Sequence, residues 1–107
     1  MSCAANNAFD EVATSLNQMD DSLQTMSEFE LIEIISGNDF EKALAATKSS
    51  AATAIVLQFA VLDRDRLIRQ AALRNPNISD ELVLKLSNDI DLEIAEEAQK
   101  EAVRRNL

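Results

Sequence analysis

From residue 27 to residue 107 the chain repeats one pattern three times with a period of 26 residues. Ser27, Thr53 and Ser79 align, as do Leu31, Leu57 and Val83, and then Ile34, Ala60 and Leu86. The register runs on through Asp39, Asp65 and Asp91, through Ala46, Ala72 and Ala98, and through Lys48, Arg74 and Lys100. Self-similarity at roughly 20–50 residues marks an array of supersecondary units, each burying its apolar face on a neighbour. One Gly and one Pro leave little room for hairpins, and no apolar run alternates with period two, so the chain is expected to be all-α. The boundaries fall at residues 27–52, 53–78 and 79–107, in a single domain that also takes in residues 1–26.

Each aligned column has a physical reason. Ser27, Thr53 and Ser79 stand just before a hydrophobic run, where a hydroxyl can accept from an orphan helix N–H. Glu30, three residues after Ser27, completes a capping box in the first copy. Asp39, Asp65 and Asp91 then cap a second, longer helix, whose inner face carries the small residues Ala43, Ala46, Ala72, Ala95 and Ala98. Lys48 and Arg74 fall near the ends of those helices, where the macrodipole favours a cation. Gly37 lies in the turn of the first unit. In Asn75-Pro76-Asn77 proline stops a helix and asparagine tolerates left-handed backbone, so a turn is expected there. Each unit therefore reads as short helix, tight turn, longer helix, turn. The last helix, from Asp91 to about Arg105, has Ile94, Ala95, Ala98 and Ala102 on one side and the i,i+4 pairs Glu96–Lys100 and Glu101–Arg105 on the other.

Residues 67–98, with Ile68-Arg69-x-Ala71-Ala72, Asn75-Pro76-Asn77, Leu82 to Leu86 and Asp89-x-Asp91, resemble the leucine-rich repeat variant family. The resemblance covers residues 27–107, and the middle and last copies carry its turn and aspartate motifs. The first copy departs from them, with Lys48-Ser49-Ser50 in place of Arg74-Asn75-Pro76 and Lys42 in place of Ile68 and Ile94. The resemblance implies a short right-handed α-solenoid of paired helices, similar in shape to HEAT arrays. Some relatives carry a cysteine-ligated iron–sulfur cluster. Cys3 is the only cysteine here, and no cofactor is expected.

Residues 1–26 precede the repeat. Phe9, Val12, Leu16, Met19, Leu23 and Met26 follow a 3-4-3-4-3 spacing that sets them on one helical stripe. Three readings stay open: a helix capping the first unit, a seam that pairs weakly with a second chain, or a disordered segment. The segment has no basic stretch or continuous apolar core of a signal peptide, and no apolar run approaches the roughly 18 residues of a membrane span. A cytoplasmic location is the expectation, with which a lone cysteine agrees.

Charge is distributed unevenly. The nine charged residues among the first 41 are all acidic: Asp10, Glu11, Asp20, Asp21, Glu28, Glu30, Glu33, Asp39 and Glu41. From Lys42 onward ten basic and ten acidic residues cancel, so the whole net charge of −9 belongs to the first part of the chain. Such a face either merely solubilises or steers a basic partner toward it. The one basic cluster is Arg64, Arg66, Arg69 and Arg74. It does not extend to the matching positions of the other units, and the chain has no Trp or Tyr to stack on bases. Pairing with Asp63, Asp65 or acids of neighbouring units, or contact with a partner, accounts for it better than direct nucleic-acid binding.

Signs of catalysis are nearly absent. The chain has no histidine and a single cysteine, so His-assisted nucleophiles and a thiolate metal site are excluded. Asp89-x-Asp91-x-Glu93 begins like a calcium loop, but Ile94 replaces the glycine and Lys100 the closing glutamate, which favours a helix cap. The expected function is a non-catalytic protein-binding module — an adaptor, inhibitor or immunity-type protein — for a partner with a basic surface. Asp10, Glu11, Asp20 and Asp21 are candidate contacts in the N-terminal segment. Glu41, Arg66, Arg69, Gln70, Glu93 and Glu96 are candidates on the longer helices. The alternative is a nucleic-acid-associated protein acting through the four arginines.

Overall fold

The computed structural model describes residues 25–107, and among them there are six helices and no strand. They are α1 (Glu28–Ile35), α2 (Phe40–Lys48), α3 (Ala54–Ala60), α4 (Arg66–Arg74), α5 (Asp80–Leu86) and α6 (Leu92–Arg104). The expected helix over residues 9–26 and the candidates Asp10, Glu11, Asp20 and Asp21 lie outside the described residues, apart from the final Thr25 and Met26.

Every helix starts at the cap its sequence supplies. Ser27, Thr53 and Ser79 accept from the N–H groups of Glu30, Val56 and Leu82, three residues on. Asp39 accepts from Lys42, Asp65 from Leu67, and Asp91 from both Glu93 and Ile94. Glu30 Oε1 in turn accepts from the Ser27 N–H at 2.9 Å, closing the capping box. Each cap satisfies at least one N–H that the helix cannot, worth about 1 kcal/mol.

The helices pack pairwise. α1 packs on α2 and α5 on α6; across units α2 packs on α4, α4 on α6, and α1 on α3. Equivalent columns are buried alike: Leu31, Leu57 and Val83, and Ala46, Ala72 and Ala98, are all fully covered. Burying each large aliphatic side chain contributes roughly 1.5–3 kcal/mol, while the alanines hold the longer helices close. One apolar cluster runs from Leu31 to Ala102.

The turns expected at residues 75–77 and around Gly37 are present, and one ion pair expected on α6 needs correction. Asn75 is extended, with φ −76° and ψ 127°, because the following proline excludes helical backbone. The left-handed asparagine is Asn106, with φ 64°, where the Asn106 and Leu107 N–H groups donate to Val103 O and Ala102 O. That pair of bonds is a Schellman ending for α6. Gly37 has no positive φ, and a Cβ there would sit at 3.4 Å from two carbonyl oxygens, so aspartate fits the same column at Asp63 and Asp89. On α6, Glu101 pairs with Arg105 at 2.7 Å, but Glu96 and Lys100 do not come within ion-pair distance.

Candidate functional site

The arginines of α4 reach forward by one unit. Arg66 sits in the first turn of α4 and bonds the Asp91 cap through Nε, while its Nη2 donates to Glu93 at 2.6 Å. Arg69, one turn later, donates through Nε and Nη2 to both oxygens of Asp89 at 2.8 and 3.1 Å. Its Nη1 donates to the carbonyls of Asp63 and Arg64, at 2.8 and 3.0 Å. Arg74, at the end of α4, forks onto Glu97, which also accepts from Gln70. Arg105 closes the same seam from α6, donating to Ile78 O and Asp80.

Exposure separates these pairs. Arg69 and Asp89 side chains are only 11 % and 6 % exposed, so their charges are held by each other and by backbone. The Arg66 and Arg74 pairs face solvent more openly. Bonding to Arg66 holds the Asp91 carboxyl below its usual range, and bonding to Arg74 does the same for Glu97. Glu101, bonded first by Arg104 and then by Arg105, is lowered to about 2. Among the described residues every arginine except Arg64 is paired, and each acid they use lies at residue 80 or beyond.

The candidates of the longer helices therefore divide. Arg66, Arg69, Gln70 and Glu93 are joined in the contact between α4 and the third unit, rather than standing free on a face. Glu41 and Glu96 are exposed and take part in no ion pair among the described residues. Asp89, Asp91 and Glu93, the start of the calcium-like spacing, are taken up by Arg69 and Arg66. No group of three or more metal-binding side chains occurs among the described residues. No described helix is long and apolar enough to cross a membrane.

Between the first two units lies a groove of about 550 Å³, walled by residues 35–38, Phe40, Ala43, Phe59, Asp63, Arg64 and Asp65 among others. A second groove lies between the next two units. Apart from Leu86, each residue lining it stands 26 positions after one lining the first, Arg69 after Ala43 and Asp89 after Asp63.

The asparagine turn also works across units. Asn75, buried, donates through Nδ2 to Thr47 O at 2.8 Å and Ser49 O at 3.0 Å, and accepts from the Asn77 N–H. Asn77 donates to Ser50 O and Ala52 O. Sequence reasoning missed these ties; it expected the arginines to pair with acids of neighbouring units but did not say which. The signal available was the period itself: most of these partners stand 23–28 residues apart. The chain matches no protein-family model, no curated protein and no solved structure.

Proposed function

We propose that the chain is a non-catalytic protein-binding module, a short right-handed α-solenoid of the leucine-rich repeat variant type. It would serve as an adaptor, inhibitor or immunity-type protein that binds a basic partner through its acidic first unit and N-terminal segment. The stacking of α2, α4 and α6, with side-chain bonds spanning about one period, supports the solenoid reading.

One observation carries the partner reading. Among the described residues, Glu28, Glu30, Glu33, Asp39, Glu41, Asp63 and Asp65 take part in no ion pair, and residues 1–41 contain no Lys or Arg. The arginines other than Arg64 are spent on acids at residue 80 or beyond, so the negative field of the first unit, offset only in part by Lys42 and Lys48, attracts a basic surface. The same pairing opposes the nucleic-acid alternative, because Arg66, Arg69 and Arg74 would have to leave carboxylates to meet phosphates.

The test is affinity capture from the native host followed by kinetics on the captured protein. Changing Glu33 and Glu41 to Gln should slow association and flatten its salt dependence, leaving dissociation nearly unchanged. Association equal to the parent's at low salt would leave these carboxylates with a solubilising role only.

A further inference from the structure

The two equivalent grooves differ in one decisive respect. In the second, Arg69 lays its guanidinium across the Asp89 carboxylate and the carbonyls of Asp63 and Arg64. In the first, the residue at the same position is Ala43, while the matching carboxylate, Asp63, is kept. The matching carbonyls belong to Gly37 and Asn38, which also line the groove. Among the described residues the Asp63 carboxylate accepts only the Asp65 N–H, as Asp89 accepts the Asp91 N–H. Asp63 thus retains the acceptor that its counterpart uses for arginine, without the arginine.

The walls differ in the same sense. The second groove is lined by Arg64, Arg69 and Lys85 against Asp63 and Asp89, a net charge of +1. The first is lined by Arg64 alone against Asp63 and Asp65, a net charge of −1. Phe59 stands where Lys85 stands one unit later, and Phe40 stands where Arg66 stands. Two half-exposed aromatic rings beside two carboxylates suit a delocalised cation, whose face stacks on a ring while its edge donates.

We propose that this first groove receives an arginine side chain from the partner, which takes the place that Arg69 occupies one unit further on. This rests on the basic-partner reading above and names the chemistry of its contact. Arginine is specified over lysine, because a single ammonium cannot span a carboxylate and two carbonyls in one plane. Arg64 is the one like charge on the wall and opposes the guest.

The probe is N-acetyl-arginine amide, titrated into the 15N-labelled protein, with the lysine and citrulline analogues as controls. Citrulline keeps the shape and removes the charge. Saturable shifts at Gly37, Asn38, Phe59, Asp63 and Asp65 are expected for arginine, weaker ones for lysine and none for citrulline. Asp63→Asn keeps the acceptor for the Asp65 N–H and should weaken arginine binding about tenfold, as loss of a charge-assisted fork does. Ala43→Arg should fill the groove from within and abolish binding of the amide. If that variant fails to fold, Asp63→Asn decides alone. Absence of saturable shifts, or equal binding by Asp63→Asn, would overturn the proposal. A captured basic partner bound equally well by Asp63→Asn would remove the groove and keep the partner reading. Arginine amide seated in the groove of a chain that captures no basic protein would do the reverse.

Discussion

Replacing Arg69 by alanine is the sharpest stability test, because it separates a buried bridge from an exposed one on the same helix. Arg69 makes four hydrogen bonds, two to Asp89 and two to the carbonyls of the preceding turn. Its loss leaves the Asp89 carboxylate, 6 % exposed, with the Asp91 N–H as its remaining donor. Breaking a buried pair on one side costs about 3–5 kcal/mol. The lower end applies here, since the pair stands at the edge of a groove that water can enter once the side chain is gone. Arg66→Ala removes an arginine 39 % exposed, whose solvent-screened bridges contribute under about 1 kcal/mol. A loss of about 3 kcal/mol in a domain this small lowers the melting temperature by roughly 12–24 °C. The chain has no Trp or Tyr, so urea and thermal unfolding are followed by far-ultraviolet circular dichroism. Asp89→Asn, which keeps an acceptor for the Asp91 N–H, should fall between the two at about 1–2 kcal/mol. Equal stability of the two arginine variants, within about 0.5 kcal/mol, would refute the assignment of the third-unit joint to Arg69.

Asn75→Ala should cost about 2–4 kcal/mol by stripping the donor from two carbonyls, and Asn75→Asp should cost more by aiming a carboxylate at them. Urea midpoints in the order parent, Ala, Asp check this, and an Asp variant as stable as the parent contradicts it. Acidification gives an independent readout. The Glu101 carboxyl is depressed from 4.5 to about 2, so its stabilising contribution is complete above pH 4.5 and is lost as pH falls toward 2. Glu101→Gln should accordingly fall below the parent near neutral pH and converge with it near pH 2. A constant gap across that window would show that the Arg104 and Arg105 bonds do not govern the group.

What was legible in the sequence was whatever depends on one unit alone. Ser27, Asp39, Thr53, Asp65, Ser79 and Asp91 cap helices because a cap needs only its own next few residues. Ala46, Ala72 and Ala98 are buried because the period places them against the same kind of neighbour. What escaped was most of what depends on two units at once, beyond the expectation that the arginines pair with acids of a neighbouring unit. Arg69 and Ala43 share a column, and only the packed turns reveal that one bridges where the other leaves a groove. The turn at Asn75 was legible but its reach was not, because turn propensity describes asparagine as a local residue. Here proline extends the backbone and turns the amide toward the previous unit.

The asparagine ties give the array a direction. Asn75 and Asn77 address main-chain oxygens of residues 47, 49, 50 and 52, never a side chain of the turn they grip. The gripped turn is therefore free in sequence so long as its carbonyls stay in place, which explains how Lys48-Ser49-Ser50 replaces Arg74-Asn75-Pro76 without loss of fit. Donor and acceptor turns behave as the two ends of a polar monomer, the first unit offering its carbonyls forward and the middle unit its amides backward. A further copy of the middle unit, spliced between the first and second, would meet an acceptor turn before it and present one after it. The asparagine ties would carry over to such an insertion, but the inserted Arg66 and Arg74 would meet Leu67 and Ala71 where Glu93 and Glu97 now stand, whereas the Schellman ending at Asn106 meets the last carbonyls of α6 from within its own helix.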